Sequence, residues 1–166
     1  MIRECHAIAQ AISSHAGASC PRLFVVHVVE EAPGFVAWFN SLVTPGIYQP
    51  LFLSVNGVAL TITLIVGFGV ASAREPMSGI IGAAWVGFLM LANAVFHIVA
   101  TISLSRYCPG VVTATLIYLP VSALFFRAVV RELGISSLVV AAVALLAGTP
   151  MFIHGYLIVF QGSRLF

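Results

Sequence analysis

Histidine and glutamate side chains interrupt stretches of this sequence that are otherwise apolar, and their types and spacing are suited to chemistry. His27 is followed three and four positions later by Glu30 and Glu31, so in a helix the imidazole lies angularly between the two carboxylates. Two more imidazoles, His97 and His154, occur within later apolar runs. Three imidazoles and up to two carboxylates form a ligand set that zinc or non-haem iron prefers.

The composition identifies the solvent of these groups as lipid. Apolar residues make up 61% of the 166-residue chain and charged residues only 7%, with no Lys and no Asp, and the mean hydropathy is +1.12. A water-soluble surface cannot be built from so few charges. The net charge of +2 rests on seven Arg near the ends of apolar runs, which is typical of membrane anchoring. This excludes a nucleic-acid surface and makes the lipid bilayer the expected partner.

The apolar runs predict an all-α fold, namely an integral membrane helical bundle of four to five transmembrane helices in a single domain over residues 1–166. The stretch 32–50 holds two Pro-Gly pairs and several aromatic residues, which predicts a short interfacial segment. The predicted helices cover about 11–31, 51–73, 78–104, 111–129 and 135–160.

Alternating crossings place the polar residues at one level of this bundle. His97 lies seven residues before the end of the third helix, hence about 10 Å below the membrane surface, and His154 lies at nearly the same depth in the last helix. If the first helix runs toward that surface, His27 and the two glutamates occupy its last turn. Asn93, one turn before His97, is expected to orient that imidazole. Tyr107, in the loop at this surface, is expected near the entrance.

Two kinds of chemistry remain open for this cluster. A single divalent metal ion, Zn or Fe, would take three protein ligands, leaving an open position for water and one glutamate as general base, which suits hydrolysis or hydration. Without a metal, the same groups could relay protons or stabilise a cationic intermediate during isomerisation or cyclisation. A carboxylate in hydrocarbon costs several kcal/mol unless it is protonated, paired or metal-bound.

Each residue also has a structural interpretation. Glu30 and Glu31 could end a short first helix in the headgroup region. His97 could hydrogen-bond Asn93 and hold helices together. His154 could bond the backbone carbonyl that Pro150 frees one turn earlier.

The ordered motifs resemble a known family, the integral membrane proteins named for their His-x-x-Glu-Glu (HXXEE) motif. That motif reads His27-Val-Val-Glu30-Glu31 here, and the similarity extends to Asn93-Ala-Val-Phe-His97. It continues through Tyr107-Cys-Pro-Gly-Val-Val-Thr113, Pro120 and His154, over roughly residues 23–160. The resemblance implies a multi-pass membrane protein.

The leading hypothesis is a small enzyme in a membrane, expected to be the bacterial inner membrane, that acts on an apolar or lipid-like small molecule. The candidate metal ligands are His27, Glu30, Glu31, His97 and His154, and the candidate catalytic residues are Glu30, Glu31, Asn93 and Tyr107. The alternative is a proton- or cation-coupled transporter or a binding protein. Against a transporter, the sequence shows no repeat between its halves.

Overall fold

The fold is a bundle of long helices joined by short loops. The computed structural model describes residues 20–73 and 75–165, and these residues contain helices and no strand. The helices are α1 (20–31), α2 (Phe35–Asn40), α3 (Gln49–Ala73), α4 (Pro76–Leu104), α5 (Val111–Glu132) and α6 (Ser137–Gln161).

Helices α3 to α6 are each long and apolar enough to cross a membrane, with 25, 29, 22 and 25 residues. The predicted all-α membrane bundle is confirmed. The described part of α1 is 12 residues long, or about 18 Å. The earlier part of the helix predicted at 11–31 lies outside the described residues, so its crossing stays a prediction.

Helix α4 is the central helix. Of its 18 most apolar residues in succession, 56% are buried inside the protein, a larger share than in α3, α5 or α6. It packs closely on α6, because a methyl group at Gly87 would lie only 2.6 Å from the Cα of Ala144. A π-helical segment, Gly87–Ala92, widens α4 directly before the turn that carries His97. Helix α5 has a similar segment at Ala114–Tyr118, and such segments are frequent at functional sites.

The connector after α1 folds back onto the bundle instead of lying freely at the interface. Trp38 and Phe39 of α2 are buried, and they pack with Phe96 of α4 and Ile158 of α6. Arg106 fixes the connector by donating to Ser41 Oγ at 2.5 Å. The short segment predicted at 32–50 therefore contains a helix, and its Phe35 ring contacts the ring of His97 at a centroid distance of 6.0 Å.

Candidate metal site

Three predicted site residues come together between α1 and α4. His27 and Glu31 lie one turn apart on α1, and His97 approaches them from α4. The Oε1 atom of Glu31 lies 3.5 Å from His27 Nε2 and 3.0 Å from His97 Nε2. All three side chains are buried, with exposed fractions of 1%, 5% and 0% for His27, Glu31 and His97.

The hydrogen bonds of Thr113 fix the tautomer of His27. The Thr113 hydroxyl lies 2.5 Å from Glu30 Oε2, and an ionised carboxylate only accepts, so the hydroxyl donates its single proton there. His27 Nδ1 lies 2.7 Å from the same hydroxyl and must therefore donate to it. A neutral His27 consequently presents the lone pair of Nε2 toward Glu31.

Cys108 has the corresponding role at His97. Its Sγ lies 3.2 Å from His97 Nδ1 and donates to the carbonyl oxygen of Pro109 at 3.9 Å. When His97 Nδ1 carries the proton, it donates to this sulfur, and the Nε2 lone pair then faces the carboxylate. Burial raises the pKa of the Cys108 thiol, so the sulfur keeps its proton at neutral pH.

The two Nε2 atoms and the Glu31 carboxylate therefore face one buried space. Among the described residues neither Nε2 atom has a hydrogen-bond partner, although each lies within ion-pair distance of Glu31. The three ligand atoms lie within 4.8 Å of one another. A tetrahedral zinc with bonds of 2.0–2.1 Å has ligand-to-ligand distances of about 3.3 Å, which is close to the 3.5 Å and 3.0 Å from Glu31 Oε1 to the two Nε2 atoms. The nitrogen lone pairs and the Glu31 carboxylate repel one another unless a metal ion or extra protons lie between them.

Glu30 points away from this group and caps helix α5. Its Oε1 accepts the backbone N–H groups of Gly110 at 3.2 Å and Val112 at 3.1 Å, and its Oε2 accepts that of Thr113 at 2.8 Å. These are donors at the helix start that have no partner within the helix. A negative charge at this position also complements the helix dipole. Glu30 is thus a positioning residue that reaches His27 through Thr113.

Gly110 covers the three side chains. A methyl group there would lie 2.7 Å from His97 Cε1, 2.9 Å from His27 Cε1 and 3.0 Å from Glu31 Cγ. Its φ of +100° is also a backbone conformation that glycine adopts most easily. The glycine lets the loop 105–110 lie directly on the imidazoles and exclude bulk water.

Sequence comparison places the chain in a family through these residues. A family model described as "Protein of unknown function with HXXEE motif" matches residues 19–125. The chain belongs to this HXXEE family. The predicted resemblance is thereby confirmed, and the motif spans His27 to Glu31, so its two outer residues enter the cluster while Glu30 caps α5.

A curated relative is the "Uncharacterized protein YrkK" of Bacillus subtilis (strain 168). It is 38% identical over 86 residues, which cover 46% of this chain and 54% of the relative. The chain thus aligns with about half the length of that relative. No solved structure matches the chain.

The other predicted site residues of this HXXEE protein lie outside the group formed by His27, Glu31 and His97. His154 Nδ1 accepts the backbone N–H of Leu165 at 3.1 Å, and His154 is not among the three grouped ligands. The Asn93 Oδ1 has no hydrogen-bond partner among the described residues, and Cys108, rather than Asn93, contacts His97 Nδ1. Tyr107 is 55% exposed and donates to Glu30 Oε1 at 2.7 Å.

Sequence reasoning missed several contacts of the HXXEE motif. Cys108, Gly110 and Thr113 were part of the prediction only through the segment Tyr107–Thr113 that resembles the family, with no role at the site. Tyr118 is fully buried with its ring centroid 4.3 Å from that of His27, and its hydroxyl has no hydrogen-bond partner in the described part of the chain. A tyrosine in an apolar helix gives no sequence signal for such a contact, whereas Thr113 could have been found by its polarity at a helix start.

Proposed function

We propose that this HXXEE protein is a small membrane-embedded enzyme that holds one divalent metal ion, Zn or Fe, on His27, Glu31 and His97. The observation that supports the proposal is the convergence of two buried, unpartnered Nε2 atoms on one carboxylate oxygen. The proposed ligand set leaves out Glu30, which caps α5, and His154, which accepts from Leu165.

The number of ligands that converge among residues 20–73 and 75–165, which is three, favours a catalytic metal over a structural one. Structural zinc sites use four protein ligands, whereas catalytic zinc sites use three and keep one position open. Two imidazoles and one carboxylate are also the ligand set of non-haem iron oxygenases. Cys108 and Thr113 contact the opposite nitrogens of the two rings, so they orient the ligands and are not themselves directed at the metal position.

The depth of the site indicates an apolar or lipid-like substrate. His97 lies seven residues from the end of α4, or about 10 Å along the helix axis, which is within reach of acyl chains. A bound metal supplies a Lewis acid and an activated water, so hydrolysis or hydration fits best. The chain itself orients both imidazoles and excludes bulk water with Gly110 and the ring of Tyr118.

A second candidate is a proton- or cation-coupled transporter or binding protein. The 3.0 Å contact between His97 Nε2 and Glu31 Oε1 supports it, because a proton shared at that distance would also relieve the repulsion. In this case protonated imidazoles, not a metal, would neutralise Glu31.

Metal analysis of detergent-purified protein tests the proposal. Wild type, His97→Ala, Glu31→Gln and His154→Ala are each loaded with Zn or Fe, desalted and analysed by mass spectrometry of the metal. We expect one metal per chain in wild type and His154→Ala, and none in the other two variants. His154→Ala is a matched control because it removes an imidazole from the same membrane level.

Circular dichroism shows that each variant is folded before its metal content is compared. Wild-type protein that is folded and metal-free after loading with either metal would overturn the metalloenzyme proposal in favour of proton transfer. Equal metal loss in His154→Ala would overturn the proposed ligand set.

A further inference from the structure

A groove lies between α4, α5 and α6, at the opposite end of α5 from the histidines. Its volume is about 480 Å³, and it opens to the outside of the bundle. Apolar side chains make most of its wall, including Leu91, Phe126, Val140 and Leu145. In a membrane such a groove faces lipid, so acyl chains are the molecules that fill it.

Two arginines give the open side of this groove a positive charge. Arg127 and Arg131 lie one turn apart near the end of α5, and both line the groove. Neither guanidinium has a hydrogen-bond, ion-pair or ring partner among residues 20–73 and 75–165. Each guanidinium carries five N–H donors in a planar fork that suits phosphate oxygens.

The start of α6 adds to the positive character of the same place. Ser137 is the first residue of α6, and it also lines the groove. A 25-residue helix carries a partial positive charge at this end. From Ser137 to Leu145 the groove wall extends about 12 Å along the helix axis, from the membrane surface into the acyl-chain region.

We infer that this groove binds an anionic phospholipid, with its phosphate on Arg127 and Arg131 and an acyl chain against Phe126 and Leu145. The charge at the open side of the groove selects the headgroup, because two exposed guanidinium groups with no partner among the described residues attract a phosphate. The apolar wall requires an attached acyl chain, which a free phosphate ion does not have. The site is separate from the trio of His27, Glu31 and His97.

Native mass spectrometry of the full chain in detergent tests this inference. The probes are dioleoyl phosphatidylglycerol and dioleoyl phosphatidylcholine, which share acyl chains and differ in headgroup charge. The variants are R127Q/R131Q, R22Q and A141W. R22Q removes one arginine from the exposed surface of α1 and is the charge control. A141W places a bulky side chain in the groove without changing its charge.

We expect wild type to retain phosphatidylglycerol in preference to phosphatidylcholine. Each arginine near a lipid surface contributes about a fivefold change in affinity, so R127Q/R131Q should bind phosphatidylglycerol about thirtyfold more weakly. R22Q should behave as wild type. A141W should lose phosphatidylglycerol although its arginines remain, and inorganic phosphate in large excess should not displace the lipid.

Three results would overturn the inference. They are equal retention of the two lipids by wild type, unchanged phosphatidylglycerol binding in R127Q/R131Q, and full displacement by inorganic phosphate. The last result would mean that the arginines bind a free anion and that the groove holds no acyl chain. If the double variant does not fold, the single variants R127Q and R131Q are compared, each with an expected loss of about fivefold.

Discussion

The Glu30 Oε2 atom accepts the backbone N–H of Thr113 at 2.8 Å, although 83 residues separate them in the chain. This contact joins the end of α1 to the beginning of α5. It also holds the Thr113 hydroxyl against His27 Nδ1. The two adjacent glutamates of the HXXEE motif thus differ in role, since Glu30 positions the helices and Glu31 faces the imidazoles.

Replacing Glu30 with Ala should lower the stability of the fold. The change leaves three backbone N–H groups at the start of α5 without their acceptor, and the loss of a helix cap costs about 0.5–2 kcal/mol in free energy of unfolding. Denaturant unfolding in detergent measures the effect. Glu132→Ala is the control, because Glu132 has no hydrogen bond or ion pair among the described residues. Equal stability of the two variants would contradict the capping role.

Replacing Gly110 with Ala should remove metal binding. The new methyl group would lie within 3.0 Å of atoms of His27, Glu31 and His97, so these side chains must move apart. The positive φ adds strain of about 1–2 kcal/mol.

Gly134→Ala separates the two effects of the glycine substitution. Gly134 also has a positive φ, of 65°, but nothing lies within 4 Å of an added methyl group. We therefore expect Gly134→Ala to lose some stability and to retain its metal. A Gly110→Ala protein with wild-type metal content would show that the three side chains do not share a ligand.

Much of the fold follows from sequence, because hydrophobic length is sufficient to predict membrane helices. The helices predicted at 51–73, 78–104 and 111–129 correspond to Gln49–Ala73, Pro76–Leu104 and Val111–Glu132. The charged or Pro-containing turns between them determine where each one ends. The three π-helical segments, Gly87–Ala92, Ala114–Tyr118 and Leu157–Gln161, were not predicted, because these runs are apolar on all sides and have no periodic pattern that an extra residue would shift.

The site was only partly predictable. The i, i+4 spacing correctly places His27 and Glu31 on one side of α1, and the depth argument brings His97 to their level. Depth alone does not determine the direction of a side chain around its helix, which is why His154, predicted at the same level, contacts Leu165 instead of the cluster. Similarly, spacing could not decide which glutamate faces the imidazoles, since both lie within reach of His27 on a helix.

Replacing Cys108 with Ala should weaken metal binding without removing a ligand. The sulfur lies 3.2 Å from His97 Nδ1, and the loss of such a contact to a metal-bound histidine typically reduces affinity by about 10–100-fold. Cys108→Ser keeps an acceptor, so its affinity should lie between those of Ala and wild type. Competition with a zinc-binding dye measures the dissociation constants. Cys20→Ala is the control, and equal affinities for Cys108→Ala and wild type would show that the thiol does not orient His97.

Because of the Tyr107 hydroxyl, we expect the stability of the fold to depend on pH at alkaline pH. Its hydrogen bond to the Glu30 carboxylate is the main cause that raises the pKa of Tyr107 from 10.0 to about 12. The folded protein therefore holds this proton more tightly than the unfolded chain. The stabilisation is fully present below pH 10 and is lost as the pH rises toward 12.

Thermal unfolding of wild type and Tyr107→Phe between pH 8 and pH 12 measures this contribution of Tyr107. The advantage of wild type should be constant up to about pH 10 and should shrink above it, because only the unfolded chain then ionises at this residue. Tyr48→Phe is the control, because Tyr48 is similarly exposed and has no hydrogen bond from its hydroxyl among the described residues. A difference between wild type and Tyr107→Phe that stays constant up to pH 12 would mean that Tyr107 does not donate to Glu30 in solution.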